Sequence, residues 1–151
     1  MKNRNRDVKA AKEREENAAW MLEYLTGREV ILMPSEYCKF DFLLAKQRNG
    51  VRIATSIAEY RSRPNVRIGQ YPTLSINKEK IDSMREFAIK TGVEAYLFVE
   101  WADTPLMYVN VRWGKWNVTE GFCRTDKERE NDRPETVYEI PIEQFREVKM
   151  T

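Results

Sequence analysis

Two carboxylates and an arginine lie at the ends of two neighbouring apolar segments of the chain. Glu59 and Arg61 stand two positions apart in "TSIAEYRSR" (55–63), so in a strand both side chains lie on one face. Asp41 opens the preceding apolar segment, and a short turn separates the two segments. Carboxylates at the paired ends of such a hairpin repel each other unless a cation neutralises them. A divalent metal does so, and it can activate a water for attack on a phosphodiester.

The residue types that are present restrict this chemistry. The chain has no histidine, which excludes Ser-His-Asp and Cys-His catalysis and every zinc site that contains histidine. Cys38 and Cys123 do not form a CxxC pair and cannot build a zinc cage alone, so we expect reduced thiols in a cytoplasmic protein. Carboxylates remain as ligands, and they favour hard cations such as Mg²⁺ or Mn²⁺.

Length and composition predict one domain that spans residues 1–151. With 42% hydrophobic and 33% charged residues, the chain can bury a core and still present a solvated surface. No apolar run approaches the roughly 20 residues that a membrane helix needs. The charged N-terminus lacks the apolar segment of a secretory signal. We therefore expect no membrane contact, a charged N-terminal helix and a charge-rich loop at 125–135.

Hydrophobic periodicity and turn residues predict two helices with a three-stranded unit between them and further strands behind. The helices are expected at 8–25 and 77–92. The strands are nearly continuous in apolar residues, which is typical of a sheet covered on both faces. The fold class is therefore α/β or mixed α+β, with a central mixed sheet flanked by helices. Strands are expected at 28–34, 39–46, 51–61, 93–101 and 106–113, a loop at 62–75, and a short strand and a helical turn within 136–148.

The turn at Asn49-Gly50 decides whether Asp41 and Glu59 can meet. Opposed residues of an antiparallel pair point to the same face. A plain two-residue turn with regular strands would place Asp41 and Glu59 on opposite faces. We therefore predict either a three-residue loop, Arg48 to Gly50, or a β-bulge further along one strand, with positive φ at Gly50.

The segment "FDFLLAKQRNGVRIATSIAEYR" (40–61) resembles the core of the PD-(D/E)XK nuclease superfamily, which includes restriction endonucleases and Holliday-junction resolvases. In that family an aspartate opens one strand, and a glutamate-x-lysine closes the next. Asp41 and Glu59 match the two acids, and Arg61 stands at the position of the lysine. The order of the elements over residues 10–112 matches as well. The resemblance implies a restriction-endonuclease-like fold and a nuclease that cuts DNA with Mg²⁺ or Mn²⁺.

The resemblance also implies the ligands of the metal. Asp41 and Glu59 would bind it, with the backbone carbonyl of Tyr60 as a third ligand. In many members the first helix carries a glutamate that faces the metal. Glu16 is the first choice for that residue, and Glu23 is the alternative.

A lysine on the second helix is implied in the same way. "YPTLSINKEKIDSM" (71–84) resembles the segment that follows the motif in phage-type members, where a lysine opens this helix. Lys80 fits that position, and Lys78 is the second choice. Lys80 would supply the ammonium that Arg61 cannot, because a guanidinium keeps its proton and never acts as a neutral base.

The arginine in place of the motif lysine keeps a second interpretation open. The alternative is a catalytically inactive module of the same fold that binds DNA or serves in an assembly. A homodimer is also open, because many relatives pair two sites to cut both strands.

Two further groups of residues are candidates for contacts with nucleic acid. Arg63 and Arg67 flank Pro64 in the loop beside the proposed site and are candidate phosphate contacts, the alternative being a merely solvated basic loop. Aromatic side chains can stack on bases, although packing in the core or an interface is expected for at least two of Trp101, Trp113 and Trp116.

Overall fold

The computed structural model describes residues 2–34, 40–121 and 135–149, with side chains from residue 12 onward. Cys38, Cys123 and nearly all of the predicted charge-rich loop at 125–135 lie outside these ranges. Two long helices and nine strands are present in the described residues. They are α1 Lys2–Thr26, β1 Glu29–Leu32, β2 Phe42–Arg48, β3 Val51–Arg63, β4 Thr73–Asn77, α2 Lys78–Thr91, β5 Glu94–Trp101, β6 Met107–Asn110, β7 Asn117–Gly121, β8 Glu135–Pro141, a 3₁₀ turn Ile142–Gln144, and β9 Arg146–Glu147.

A six-stranded mixed sheet forms the centre of the fold, in the order β1-β2-β3-β5-β6-β9. Only β3 and β5 run parallel within it. Helix α1 packs on one face through Ala18 and Leu22, which join a cluster with Phe42 and Leu44. Helix α2 packs on the other face, and Ile81 joins the larger cluster. The predicted α/β class with a mixed sheet between helices is confirmed.

The central strand β3 directs alternate side chains towards the two helices. Ala58 and Tyr60 belong to the cluster under α1, whereas Ile57 belongs to the cluster under α2. Glu59 has the same parity as Ile57, so its side chain points to the α2 side of the sheet. This alternation places the carboxylate where the first turn of α2 can reach it.

The β2–β3 hairpin contains the predicted irregularity, but not in its turn. The turn has two residues, Asn49 with φ 52° and Gly50 with φ 76°, so the three-residue loop was wrong and the positive φ at Gly50 is confirmed. The bulge is confirmed: Leu44 pairs with Ser56 and Ala45 with Ala54, so Thr55 is the extra residue of β3. Beyond the bulge the pairing changes parity, as a shared site requires.

Helix α2 has the predicted boundaries because both ends carry suitable caps. The Asn77 side chain accepts a hydrogen bond from the backbone N–H of Lys80, and Gly92 ends the helix in a left-handed conformation with φ 77°. Ile81, Met84 and Ala88 form its buried face. The cap fixes the first helical turn, and with it the backbone from which the Lys80 side chain extends.

A second sheet was not predicted from the sequence. Strands β4, β8 and β7 form a three-stranded antiparallel sheet, although residues 62–75 were expected to be a loop throughout. Leu74 and Ile76 of β4 are buried, and Ser75 between them is only partly buried. The prediction therefore failed because this short alternation was taken as a continuation of the loop before Pro72.

The remaining elements lie close to the predicted ones. Helix α1 starts earlier than expected, and the strand expected at 106–113 ends at Asn110. The predicted C-terminal strand and helical turn are present as β8 and the 3₁₀ turn. Among the described residues, no helix is both long and apolar enough to cross a bilayer.

Candidate active site

Glu59 lies buried in the middle of the sheet, which is an unusual place for a carboxylate. Strand β3 has β2 on one side and β5 on the other, and Glu59 pairs with Leu97 of β5. Its side chain is 1% exposed. Oε2 has no hydrogen-bond partner among the described residues. Burying an acceptor without a donor costs free energy, and a bound cation would offset that cost.

Asp41 lies beside Glu59 at the start of β2. Its backbone N–H donates to the carbonyl of Ala58 at 3.0 Å, and its own carbonyl accepts from Met33 at 2.9 Å. Its Oδ2 accepts a hydrogen bond from the backbone N–H of Tyr60 at 3.0 Å. The β2–β3 register ends at Phe42 and Ala58, so Asp41 lies one residue before the ladder, and its hydrogen bond from Tyr60 places its carboxylate next to the backbone of the residue that follows Glu59.

Lys80 is the basic group nearest to Glu59. Its Nζ lies 2.8 Å from Glu59 Oε1, an ion pair that is not aligned as a hydrogen bond. Lysine in the first turn of a helix faces the positive end of the helix dipole, so this position is not one that helix stability favours. The second choice, Lys78, instead pairs with Asp82 on the same helix. The structure thus brings Lys80, and not Lys78, to the carboxylates.

Arg61 also reaches Glu59, at a longer distance and in a more open position. Its guanidinium lies 3.4 Å from Glu59 Oε1, and its side chain is 39% exposed. Among the described residues, no ion pair joins Arg61 to Asp41. The arginine therefore does not bridge the two carboxylates, and it faces the solvent side of the site.

Helix α1 places Glu15 at the cleft, one residue before the first choice, Glu16. Glu15 is partly buried and lines the cleft above the carboxylates, whereas Glu16 is exposed. Burial, followed by the charge of Asp41, raises the pKa of Glu15. The alternative, Glu23, accepts a hydrogen bond from the backbone of Val30 at the start of β1. The structure therefore brings Glu15, and not Glu16, to the cleft.

The electrostatics of the site are dominated by the burial of Glu59. Desolvation, followed by the charge of Asp41, raises the pKa of Glu59 from 4.5 to about 7, although Arg61 and Lys80 act in the opposite direction. Burial thus favours the protonated form of this carboxyl, in opposition to the two neighbouring cations. A divalent cation between Asp41 and Glu59 would remove the repulsion and favour the ionised form of both acids.

The donor set fits a hard divalent cation. Two carboxylates offer oxygen ligands, one of them with an unpartnered buried oxygen. Among the described residues, no three His, Cys, Asp or Glu side chains are close enough to hold a metal by themselves. In a site with Asp41 and Glu59, water and the carbonyl of Tyr60, the third ligand proposed above, would complete the coordination.

An open cleft of about 690 Å³ leads to these residues. Arg14, Arg61, Arg63 and Lys80 give its lining a basic character, and Glu15 is among the acids that also line it. Arg63, one of the two predicted phosphate contacts, therefore lies at the site. Arg67 lies next to it, in a second cleft of about 430 Å³ that Arg63 lines as well.

The three tryptophans that could stack on bases have different environments. Trp101 is buried against Phe145, with ring centroids 5.0 Å apart. Trp116 packs against Arg85, whose guanidinium carbon lies 5.0 Å from the centre of the ring. Trp113 is 67% exposed, with the Arg112 guanidinium 4.6 Å from its ring centre. None of the three lines the 690 Å³ cleft.

A comparison with protein families agrees with this geometry. The model of a family described as phage putative PDDEXK endonuclease matches residues 3–148, which is nearly the whole chain. The chain belongs to this PDDEXK family. The membership confirms the resemblance to PD-(D/E)XK nucleases that residues 40–61 carry, and it extends it to both sheets and to the C-terminal strand.

Solved structures that resemble this chain include a distant relative. A Holliday junction resolvase, Hjc of the archaeal hyperthermophile Archaeoglobus fulgidus, is similar over 66% of this chain and 72% of its own. The two are 17% identical, with a TM-score of 0.48. No curated protein matches the sequence.

Proposed function

We propose that this PDDEXK family member is a divalent-metal-dependent nuclease that hydrolyses DNA phosphodiester bonds. The observation that carries the proposal is the proximity of the Asp41 carboxylate to the buried Glu59, beyond the bulge at Thr55, with the Lys80 ammonium 2.8 Å from Glu59. An inert salt-bridge cluster does not need an unpartnered carboxylate oxygen at its centre.

In this proposal the two acids and the backbone of Tyr60 hold Mg²⁺ or Mn²⁺. The metal would supply a nucleophile near neutral pH and stabilise the charge that develops on the phosphate. Asp41 is oriented for this role by the hydrogen bond from Tyr60 N–H. Glu59 is oriented by its place in the sheet, where the flanking strands leave the backbone little freedom.

The basic residues have separate tasks in this scheme. Lys80, 29% exposed, holds its ammonium at the carboxylates and can donate a hydrogen bond to the attacking water or to the scissile phosphate. Arg61 is further out and can hold a phosphate oxygen with its planar guanidinium. Lys80 thus brings an ammonium group to the site from α2, as the lysine of the motif does from β3 in the family. Arg61 occupies the sequence position of that lysine.

The direct test is a plasmid-nicking assay with Mg²⁺, Mn²⁺ or EDTA. The wild type should cut with either metal and not in EDTA. Asp41→Asn and Glu59→Gln should each lower cutting at least about a hundredfold, because each removes a negatively charged ligand. Both variants should remain folded by circular dichroism. Wild-type cutting in EDTA, or cutting unaffected by both substitutions, would contradict the proposal.

One observation favours the inactive alternative. The ion pairs from Lys80 and Arg61 partly neutralise Glu59 without any metal. In an inactive DNA-binding module, these pairs would serve the stability of the fold. Such a module would bind DNA and show no cutting with either metal.

A homodimer is part of the proposal only for double-strand cutting. One site cuts one strand, so a monomer should release mainly nicked circles. Linear plasmid formed without a lag, together with a dimeric mass by light scattering, would support two sites acting together.

A further inference from the structure

A second cleft continues from the candidate active site along the same strand. Its volume is about 430 Å³, and Arg63 and Ser75 line both clefts. Glu59, Arg61 and Arg63 lie two positions apart in β3, so their side chains point to the same face. A nucleic-acid strand whose phosphate lies at Glu59 and Arg61 would therefore pass Arg63 and enter this second cleft.

The lining of the second cleft combines an apolar floor with a basic rim. Trp101, Leu74 and Ile142 form apolar parts of the lining, and Trp101 is held in the core by its contact with Phe145. Arg67 lies at the rim and is exposed. An apolar floor suits the face of a base, and a guanidinium suits a phosphate.

Tyr71 supplies an aromatic ring at the same cleft. Its side chain is 57% exposed, although it lines the cavity. Among the described residues, no other aromatic ring stacks on it. Gly69 beside it has no atom within 4 Å of where a side chain would begin, so the space above the backbone is open.

The loop that carries Tyr71 is held in place by the neighbouring loop. The backbone N–H of Ile68 donates to Asp103 Oδ1 at 2.9 Å, and that of Ala102 donates to the carbonyl of Val66 at 3.0 Å. The backbone N–H of Gln70 donates to the carbonyl of Arg67 at 3.1 Å and so closes a turn. A ring on a loop held at several points loses little conformational freedom when a ligand stacks on it.

We propose that this cleft binds an unpaired nucleotide next to the scissile phosphate, with its base stacked on Tyr71 and its phosphate held by Arg67. The inference rests on the proposed nuclease function, because it names the substrate class of that site. Bases within a duplex are covered on both faces by their neighbours, so an aromatic side chain can stack only on a base that is already unpaired or flipped out. The preferred substrate is then DNA with a single-stranded tail or gap beside the cut.

The test measures binding of a labelled duplex with a short unpaired tail and of the same duplex fully paired, by fluorescence anisotropy in EDTA. The wild type should prefer the tailed DNA by about tenfold, the typical effect of stacking one base. Tyr71→Ala should reduce that preference to about twofold or less. Tyr71→Phe should keep it, because the ring remains. Tyr24→Ala, a change at another exposed tyrosine far along α1, should keep it too.

Two results would overturn the inference: no preference in the wild type, or the same preference in Tyr71→Ala. Measuring how fast both DNAs are cut with Mg²⁺ tests the subsite at Tyr71 and the nuclease activity separately. Equal cutting of the two DNAs by wild type and Tyr71→Ala would refute the subsite and leave the nuclease standing. A tail preference that depends on Tyr71, with no cutting of either DNA, would support the subsite and refute the nuclease.

Discussion

The Lys80 ammonium lies 2.8 Å from Glu59 Oε1 and so joins the first turn of α2 to the centre of the sheet. The contact connects two elements that the sequence separates by the whole of β4 and its preceding loop. It is formed because Asn77 caps the helix through the Lys80 N–H, at 3.1 Å, and fixes the turn from which the lysine extends. The basic group at the carboxylates therefore comes from the helix as well as from the strand.

Replacing Lys80 should affect cutting more than replacing Arg61. We expect Lys80→Met to lower the rate of plasmid nicking at least about a hundredfold, the scale of one lost proton donor or charge-stabilising contact. Arg61→Lys should keep the rate within about tenfold of the wild type, because a positive charge remains. Lys78→Met is the matched control on the same helix turn and should cut normally, since Lys78 pairs with Asp82. Equal losses in Lys80→Met and Lys78→Met would indicate damage to the helix rather than to the site.

Neighbouring glutamates on α1 should differ in effect. Glu15→Gln removes a partly buried carboxylate that lines the cleft, and we expect nicking to fall about tenfold or more. Glu16→Gln changes an exposed residue and should leave the rate within about twofold. The two substitutions lie one position apart and give the same net charge, so the ratio of the two nicking rates is free of general charge effects. A larger loss in Glu16→Gln would restore the original choice.

Stability of the metal-free protein should depend on pH through Glu59. Burial, and then the charge of Asp41, raises its folded-state pKa from 4.5 to about 7. The folded state therefore favours the protonated carboxyl, and this contribution is complete below about pH 4.5 and lost as the pH rises through about 7. In EDTA, raising the pH from about 5 to about 8 should lower the free energy of unfolding, measured with urea. The decrease should be up to about 3 kcal/mol larger for the wild type than for Glu59→Gln. Parallel pH profiles of the two proteins would contradict the assignment.

Binding to DNA should weaken steeply with salt if the arginines beside the site contact phosphates. Each contacted phosphate contributes about 0.9 to the slope of log affinity against log salt. Arg63→Gln and Arg67→Gln should each lower the slope by about that amount in the wild-type background in EDTA. Arg52→Gln is the control, because Arg52 pairs with Glu29 at 2.8 Å near the turn of the hairpin. A slope that does not change in either test variant would remove these residues from the interface.

The hairpin of the site could be predicted because its constraint is geometric. Asp41 and Glu59 can share a cation only if the pairing changes parity, and a bulge at Thr55 provides that change. The position of the bulge could not be predicted, because a threonine is not a residue type that marks a bulge. The hydrogen bond that its hydroxyl donates to the carbonyl of Leu44, at 3.2 Å, exists only in the folded hairpin. The boundaries of α2 were predictable because Asn77 and Gly92 act locally.

Two misses had signals in the sequence. Glu15 precedes Ala18, Ala19 and Leu22 by three, four and seven positions, which is the spacing of one helix face, and those three residues are buried against the sheet. Glu16 has no such relation to them as a set. Strand β4 showed an alternation in "TLSIN" (73–77), but its pairing with β8 joins residues that lie 60 to 68 positions apart in the sequence. Such a pairing depends on tertiary contacts that local patterns do not encode.

Whether Asp41 and Glu59 form one metal site can be seen in an anomalous difference map from crystals soaked in Mn²⁺. We expect a single strong peak in ligand contact with carboxylate oxygens of both residues and with the Tyr60 carbonyl. No peak between the two residues at saturating Mn²⁺, with the Lys80 ammonium still on Glu59, would contradict it.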